Sequence, residues 1–231
     1  MNKQSQIKQA IARISNGSSI MVGGFGSPGT PFSLINELLS QGQKNLTLIK
    51  NDANESSIGI SKLIENGQVD KLITSHIGLN KIVIDMMNSK TIEVEFYPQG
   101  ILAEKIRIAG SGCYGFLSDV GIDTEITDNK QLIEWQGKQL KVESALYADF
   151  ALIHAKQSDC YGNLVYGASA MNFSPLMAMA ATEVIVETPK IVAAGEIAPE
   201  QVHTPSAFVD SIVLLEKLTE DYQLLEAHLE R

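Results

Sequence analysis

Short apolar runs typical of buried strands alternate with segments of helical spacing through the first hundred residues. The strand-like runs fall at 19–22, 46–49 and 72–73. Helical spacing of apolar side chains follows each run, at 32–39, 58–64 and 82–87. Such alternation predicts βα units, in which each helix returns the chain to the start of the next parallel strand. The expected fold class is therefore α/β, with an open, mainly parallel sheet flanked by helices.

Two later segments depart from this alternation. Residues 128–143 contain two alternating runs around Gln136-Gly137-Lys138, which predicts a β-hairpin insertion. Residues 213–231 carry leucines at helical spacing, which predicts a C-terminal amphipathic helix that packs on the body of the protein. Because there is no repeat and no linker-like composition, we interpret residues 1–231 as a single domain.

Composition restricts the class of partner and the compartment. The formal net charge of −9 argues against non-specific binding to nucleic acid, whose phosphates need a basic face. Cys113 and Cys160 lack metal-ligand spacing, so we expect free thiols and no metal site. The N-terminus lacks the apolar core of a secretory signal, and no apolar stretch approaches the roughly 20 residues that span a bilayer. We expect a cytoplasmic protein without membrane contacts.

Chemically distinctive loops follow the predicted strands. They read GGFGSPG at 23–29, KNDANE at 50–55, SHIGLN at 75–80 and PQG at 98–100. In open parallel sheets, ligands bind outside the carboxyl ends of the strands, where these loops would meet. The sequence therefore predicts one binding site built from all four loops.

The first of these loops has two interpretations as a ligand-binding motif. Gly24, Gly26 and Gly29 form a GxGxxG pattern, and Asp52 follows the next strand, as in dinucleotide-binding folds. However, Pro31 predicts that the helix begins beyond the whole pattern, because proline is tolerated only in the first helical turn. The pattern thus fits a dinucleotide-binding fold only in part, and we keep a dinucleotide-dependent oxidoreductase as the alternative. The favoured interpretation is a backbone surface that prolines pre-organise for a ligand.

Longer motifs make the chain identifiable as a member of a known family. Residues 16–31, NGSSIMVGGFGSPGTP, resemble the signature of the alpha (A) subunit of family I CoA-transferases, the 3-oxoacid and acetate/acetoacetate enzymes. The resemblance covers nearly all of residues 5–215. It continues in Asn51-Asp52, Ser75-His76-Ile77-Gly78, Pro98-Gln99-Gly100, Ala148-Asp149-Phe150, Asn172-Phe173-Ser174-Pro175 and His203-Thr204-Pro205.

The resemblance implies a ping-pong transfer of CoA between a short-chain acyl-CoA and a free carboxylate of the acetate, acetoacetate or butyrate class. Coenzyme A is then a substrate, and no cofactor is needed. A glutamate of the beta subunit attacks the thioester, and the family suggests an α2β2 assembly. In this chain Glu65, in Ile64-Glu65-Asn66-Gly67, looks like that nucleophile. We interpret it as part of a helix-ending turn.

The resemblance also assigns site residues. Gln99 matches the family glutamine whose side-chain amide stabilises the oxyanion. The residues expected to bind acyl-CoA are Gly24, Phe25, Gly26, Gly29, Asn51, Asn54 and Gly100. The two asparagines could equally be turn formers. For His76, hydrogen bonding to the backbone is favoured over a catalytic role.

The chain also departs from the family pattern. Met171 stands where relatives commonly have arginine, and residues 118–124 differ from the usual motif. The acyl donor and acceptor therefore stay open. A non-catalytic CoA-binding module on the same fold is a further alternative.

Overall fold

A seven-stranded parallel sheet forms the centre of the molecule. The computed structural model describes residues 2–125 and 130–222. The strands of this sheet are β1 (Ser19–Val22), β2 (Leu46–Ile49), β3 (Val69–Thr74), β4 (Glu93–Phe96), β8 (Ala148–His154), β11 (Ala181–Thr188) and β13 (Ser211–Leu214). Each neighbouring pair is parallel, which confirms the predicted α/β class.

The strand order reverses direction at β1. Across the sheet the order is β13-β11-β8-β1-β2-β3-β4, so the chain first builds outward from β1 on one side and later on the other. Met21 of β1 pairs in register with Ile49 of β2 and with Ala151 of β8. A crevice forms at the carboxyl end of such a switch point, and the glycine-rich loop that follows β1 lies there.

The helices cover both faces of the sheet. They are α1 (Ile7–Ile11), α2 (Phe32–Gln41), α3 (Ile60–Glu65), α4 (Lys81–Asn88), α5 (Gln99–Gly110) and α6 (Ser174–Ala180). Successive strand residues point to opposite faces. Ile20 and Val22 therefore pack under α1–α4, while Met21 packs under α5 and α6. Because both faces are buried, the central strands read as continuous apolar runs.

The helix ends follow local sequence signals. The Asn80 side chain caps α4 by accepting the N–H of Val83 at 3.0 Å. Gly42 ends α2 in the left-handed conformation with a φ of 75°, which glycine adopts without steric cost. In the described part of the chain, no helix is long and apolar enough to cross a membrane.

Smaller sheets flank the main one. In the first, β5 (Gly115–Ser118), β6 (Leu132–Trp135) and β7 (Lys138–Ser144) pair antiparallel in the order β5-β7-β6. Its β6–β7 hairpin lies within the predicted insertion, of which residues 128 and 129 are outside the described residues. In the second, β9 (Gln157–Asp159) joins β10 (Leu164–Val165) and β12 (Ile191–Val192).

The predicted C-terminal helix is wrong over its first residues. Ser211–Leu214 forms β13, which pairs with β11 at the edge of the main sheet. Ile212 and Val213 are buried there, and β-branched side chains favour a pleated surface over a helix. Helical structure begins only at residue 220, and residues 223–231 of the prediction lie outside the described residues.

Candidate functional site

The glycine-rich loop, residues 23–30, directs its central N–H groups inward. Gly24 N–H donates to Asn172 Oδ1 at 3.2 Å, and Gly26 N–H donates to Asp52 Oδ2 at 2.7 Å. Phe25 N–H donates to the carbonyl of Pro28 at 3.1 Å. These donors hold the loop together, so the N–H groups of residues 24–26 are engaged within the protein.

Close packing explains why two of the loop positions are glycine. A Cβ on Gly29 would lie 2.5 Å from the carbonyl oxygen of Ala170, and the φ of Gly29 is +80°. A Cβ on Gly24 would lie 2.7 Å from the backbone nitrogen of Thr30, at a φ of +104°. Side chains are excluded at both positions by distance and by conformation. The loop is therefore a rigid wall seated on the segment that precedes α6.

A buried lysine supports the loop from below. Lys50 Nζ donates to the carbonyls of Gly24 (3.3 Å) and Gly26 (3.2 Å) and lies 3.4 Å from Asp52 Oδ1. Burial lowers the pKa of Lys50, although the charge of Asp52 opposes that shift. Lys50 is therefore held in place by the loop and by Asp52.

Asp52 completes this support. Burial alone would raise its pKa, but the Lys50 charge and the N–H groups of Gly26 and Asn54 outweigh burial and lower the pKa. The carboxylate therefore stays ionised beneath the loop. It joins the turn after β2 to the loop after β1.

The two candidate asparagines are buried and engaged. Asn51 accepts the Ser75 hydroxyl at 3.0 Å and donates to Asp52. Asn54 donates to the carbonyl of Gly26 at 2.8 Å and accepts the N–H of Ile60 at 3.1 Å, at the start of α3. These contacts favour the structural alternative, in which both asparagines join neighbouring loops. Their role in ligand binding stays a prediction.

A cavity of about 100 Å³ opens beside the loop, at the carboxyl ends of β1, β2 and β3. Phe25 and Leu79 flank it with exposed apolar side chains, 42% and 74% accessible. Its lining residues are Phe25, Gly26, Ser27, Asp52, Ala53, Asn54, Glu55, His76, Ile77 and Leu79. Three of the four predicted loops therefore meet at one cavity.

The fourth loop places Gln99 on the same edge of the sheet. Gln99 is the first residue of α5, immediately after β4, and its side chain is exposed. Gly100 follows it within the helix, where a Cβ would meet open space. Because β4 is the neighbour of β3, the amide of Gln99 lies one strand further along the edge that carries the cavity. Participation of both residues in substrate binding stays a prediction.

His76 and Glu65, the two other candidates, both contact neighbouring serine residues. His76 lines the cavity, and its Nδ1 lies 3.3 Å from the Ser75 hydroxyl. Glu65 is the last residue of α3, and its carboxylate accepts the N–H of Ser57 at 2.7 Å and the hydroxyl of Ser61 at 2.6 Å. Those bonds agree with a helix-ending turn rather than a free nucleophile.

A buried cluster that the sequence does not reveal holds the first turn of α2, just beyond the loop. Glu187, at the carboxyl end of β11, accepts the N–H of Leu34 at 2.9 Å and thereby caps α2. His154 Nδ1 lies 2.9 Å from the same carboxylate, and the Tyr222 hydroxyl also donates to it. Burial raises the pKa of Glu187. No local motif signals this contact, because its partners come from distant parts of the chain.

Comparison with known proteins gives a consistent result. Residues 4–215 match the family described as Coenzyme A transferase. A probable coenzyme A transferase subunit alpha from Bacillus subtilis is 47% identical over 91% of this chain and 93% of its own length. The acetate CoA-transferase subunit alpha of Escherichia coli is 42% identical, over 92% of this chain and 96% of its own.

Solved structures share the fold. An acyl-CoA transferase from Escherichia coli, in a thioester complex with CoA, superposes with a TM-score of 0.84 at 22% identity. The match covers 94% of this chain and 48% of that one, so this chain spans about half of its length. The decarboxylase AibA/AibB has a TM-score of 0.81 at 25% identity, covering 99% and 92% of the two chains.

The switch-point crevice, the packed glycine loop and the exposed glutamine thus occur in a chain whose relatives are alpha or A subunits. The chain belongs to the coenzyme A transferase family.

Proposed function

We propose that this chain is the alpha subunit of a cytoplasmic, heteromeric CoA-transferase of α2β2 composition. The enzyme moves CoA between a short-chain acyl-CoA and a free carboxylate, and CoA enters as a substrate rather than a resident cofactor. The beta subunit supplies the nucleophilic glutamate. This chain supplies the wall of the acyl site and a donor for the oxyanion.

The exposed Gln99 at the carboxyl edge of the sheet, one strand beyond the cavity, carries the proposal together with the family match over residues 4–215. The glutamate that most resembles a nucleophile, Glu65, already accepts hydrogen bonds from Ser57 and Ser61. Because Glu65 is held in a helix end, and because the relatives are named as alpha or A subunits, we assign the nucleophile to the partner chain.

The proposed reaction is a series of acyl transfers through a glutamyl intermediate. The partner's glutamate carboxylate attacks the thioester carbonyl, a C–O bond forms, and the C–S bond breaks to release CoA thiolate. The thiolate attacks the glutamyl carbonyl of the resulting anhydride, which releases the first acid. The acceptor carboxylate then attacks the glutamyl thioester and releases CoA thiolate. The thiolate attacks the acceptor's carbonyl in the new anhydride, which forms the product acyl-CoA and frees the glutamate. Each attack creates a tetrahedral oxyanion, to which the Gln99 amide N–H donates.

The residues beneath the loop contribute rigidity. Lys50 donates to the carbonyl of Gly26, and Asp52 accepts the N–H of Gly26. The loop is therefore already ordered, and little conformational entropy is lost when a substrate binds. Phe25 is thereby held over the cavity as an apolar cover. Reacting groups placed by rigid walls reach productive geometry more often than groups placed by mobile ones.

Substitution of Gln99 tests the proposal. In the assembled enzyme, Gln99→Ala should lower kcat about 100-fold while KM for the acyl-CoA changes little, because an oxyanion donor acts mainly in the transition state. Gln201→Ala removes an exposed glutamine from the short helix Pro199–Gln201 and should leave both parameters unchanged. Wild-type kcat in Gln99→Ala would contradict the assigned role.

A further inference from the structure

We propose that the cavity beside the glycine loop holds the acyl chain and selects monocarboxylic acyl groups over dicarboxylic ones. The inference rests on the proposed function and deepens it by naming the substrate class. Family membership leaves this choice open, since the names of related proteins include an acetate CoA-transferase and a 3-oxoadipate CoA-transferase.

Apolar groups form much of the cavity surface. Phe25 and Leu79 expose their side chains at its mouth, while Ala53 and Ile77 are buried within the wall. An acyl chain that enters removes apolar surface from water on both sides of the contact, at roughly 25 cal/mol for each Å². The cavity therefore favours a chain that ends in methyl or methylene groups.

The charged groups on the cavity surface are acidic. Glu55 is exposed there, whereas Asp52 lines the cavity but is paired with Lys50. The ten described lining residues include neither lysine nor arginine. Lys50 lies behind the loop, but it is fully buried and already engaged by Asp52 and two loop carbonyls. A second carboxylate on the acyl chain would approach these acids without a cation from this chain to pair with.

Two four-carbon acids are suitable probes of this cavity. Butyrate and succinate have equal carbon number and differ by the replacement of a terminal methyl with a carboxylate.

The test compares these two acids as CoA acceptors. The assembled enzyme is assayed with acetyl-CoA as the CoA donor, at the same pH and ionic strength for both acids. We expect kcat/KM for butyrate to exceed that for succinate by about tenfold or more. Equal or greater kcat/KM for succinate would overturn the inference.

Variants of Glu55 test the electrostatic cause. Glu55 is exposed, and its turn is closed by a backbone bond from Ile58 N–H to Glu55 O at 3.2 Å, so side-chain substitution leaves the fold intact. Glu55→Gln should raise the succinate-to-butyrate ratio of kcat/KM about threefold, and Glu55→Lys about tenfold. Glu200→Gln makes the same change in net charge on an exposed turn outside the cavity and should leave the ratio unchanged.

The outcomes separate the two proposals. An assembled enzyme that transfers CoA to none of the acids tested contradicts the proposed function itself. Transfer to both acids with no change of ratio in Glu55→Gln and Glu55→Lys contradicts the charge-based selectivity and leaves the proposed function standing. A ratio that follows the charge at residue 55 supports both.

Discussion

Individual side chains beneath the glycine loop contribute stability through a buried ion pair. Asp52→Asn removes the charge that compensates Lys50, which is fully buried, and should lower the free energy of unfolding by about 3 kcal/mol. Lys50→Met should cost a similar amount. The double variant should cost less than the sum of the single ones, because neither unpaired charge remains. Urea unfolding of the purified variants measures all three values, and strict additivity would contradict the pairing.

The stability provided by Asp52 should depend on pH in a defined direction. Its folded-state pKa lies below the ordinary value near 3.9, so the folded state binds fewer protons at low pH than the unfolded state. The contribution is complete above about pH 4 and is lost as the pH falls through the folded-state pKa. The stability difference between wild type and Asp52→Asn should therefore narrow as the pH falls from about 4 toward about 2. A constant difference across that range would argue against an ionised Asp52.

For individual polar residues, the sequence predicts the loop in which they lie better than it predicts the contacts of their side chains. Lys50, Asn51 and Asn54 occur at a strand end, and the sequence correctly places them beside the glycine loop. Whether a polar side chain points to solvent or into the protein depends on contacts with segments far away in the chain. Lysine side chains are mostly exposed in proteins, yet Lys50 is completely buried.

Among the structural elements, the glycine loop provides a matched pair of substitutions. Gly26 and Gly29 both have positive φ, at +59° and +80°, so alanine is conformationally strained at either position by about 1 kcal/mol. Only the alanine at residue 29 would also contact the Ala170 carbonyl, at 2.5 Å. Gly29→Ala should therefore destabilise by a further 1–3 kcal/mol, roughly the cost of overpacking. Equal melting temperatures for the two variants would contradict the close packing of this loop.

The start of α2 depends on a side chain from β11. Glu187→Ala removes the acceptor for Leu34 N–H and should lower the free energy of unfolding by about 2–3 kcal/mol, since a buried donor is left unpaired. Glu187→Gln keeps an acceptor and should cost less. Chemical denaturation of the two variants distinguishes these effects. A larger loss in the glutamine variant would contradict the capping role.

The elements themselves differ in how far sequence predicts them. The βα units were predicted because buried parallel strands and amphipathic helices have distinct periodicities. Strand β13 was missed because Ile212 and Val213 fit an apolar helical stripe and an edge strand equally well. The pairing with β11 that decides between them is a contact between distant segments.

For the whole molecule, the central expectation is division of the active site between two chains. The parallel sheet and the meeting of loops at its carboxyl edge follow from the alternation of strands and helices. The cap from Glu187 and the inward direction of the loop N–H groups cannot be predicted in this way, because they arise from side-chain packing across the switch point. The sequence thus predicts which loops form the site but not which of their atoms face a substrate.

Purified chain, purified beta subunit and their mixture should be assayed for CoA transfer from acetyl-CoA to butyrate. We expect no transfer by either chain alone and full activity in the mixture, with one partner copy for each copy of this chain. Transfer by this chain alone at the rate of the mixture would place the nucleophile here and contradict the proposed division of the site.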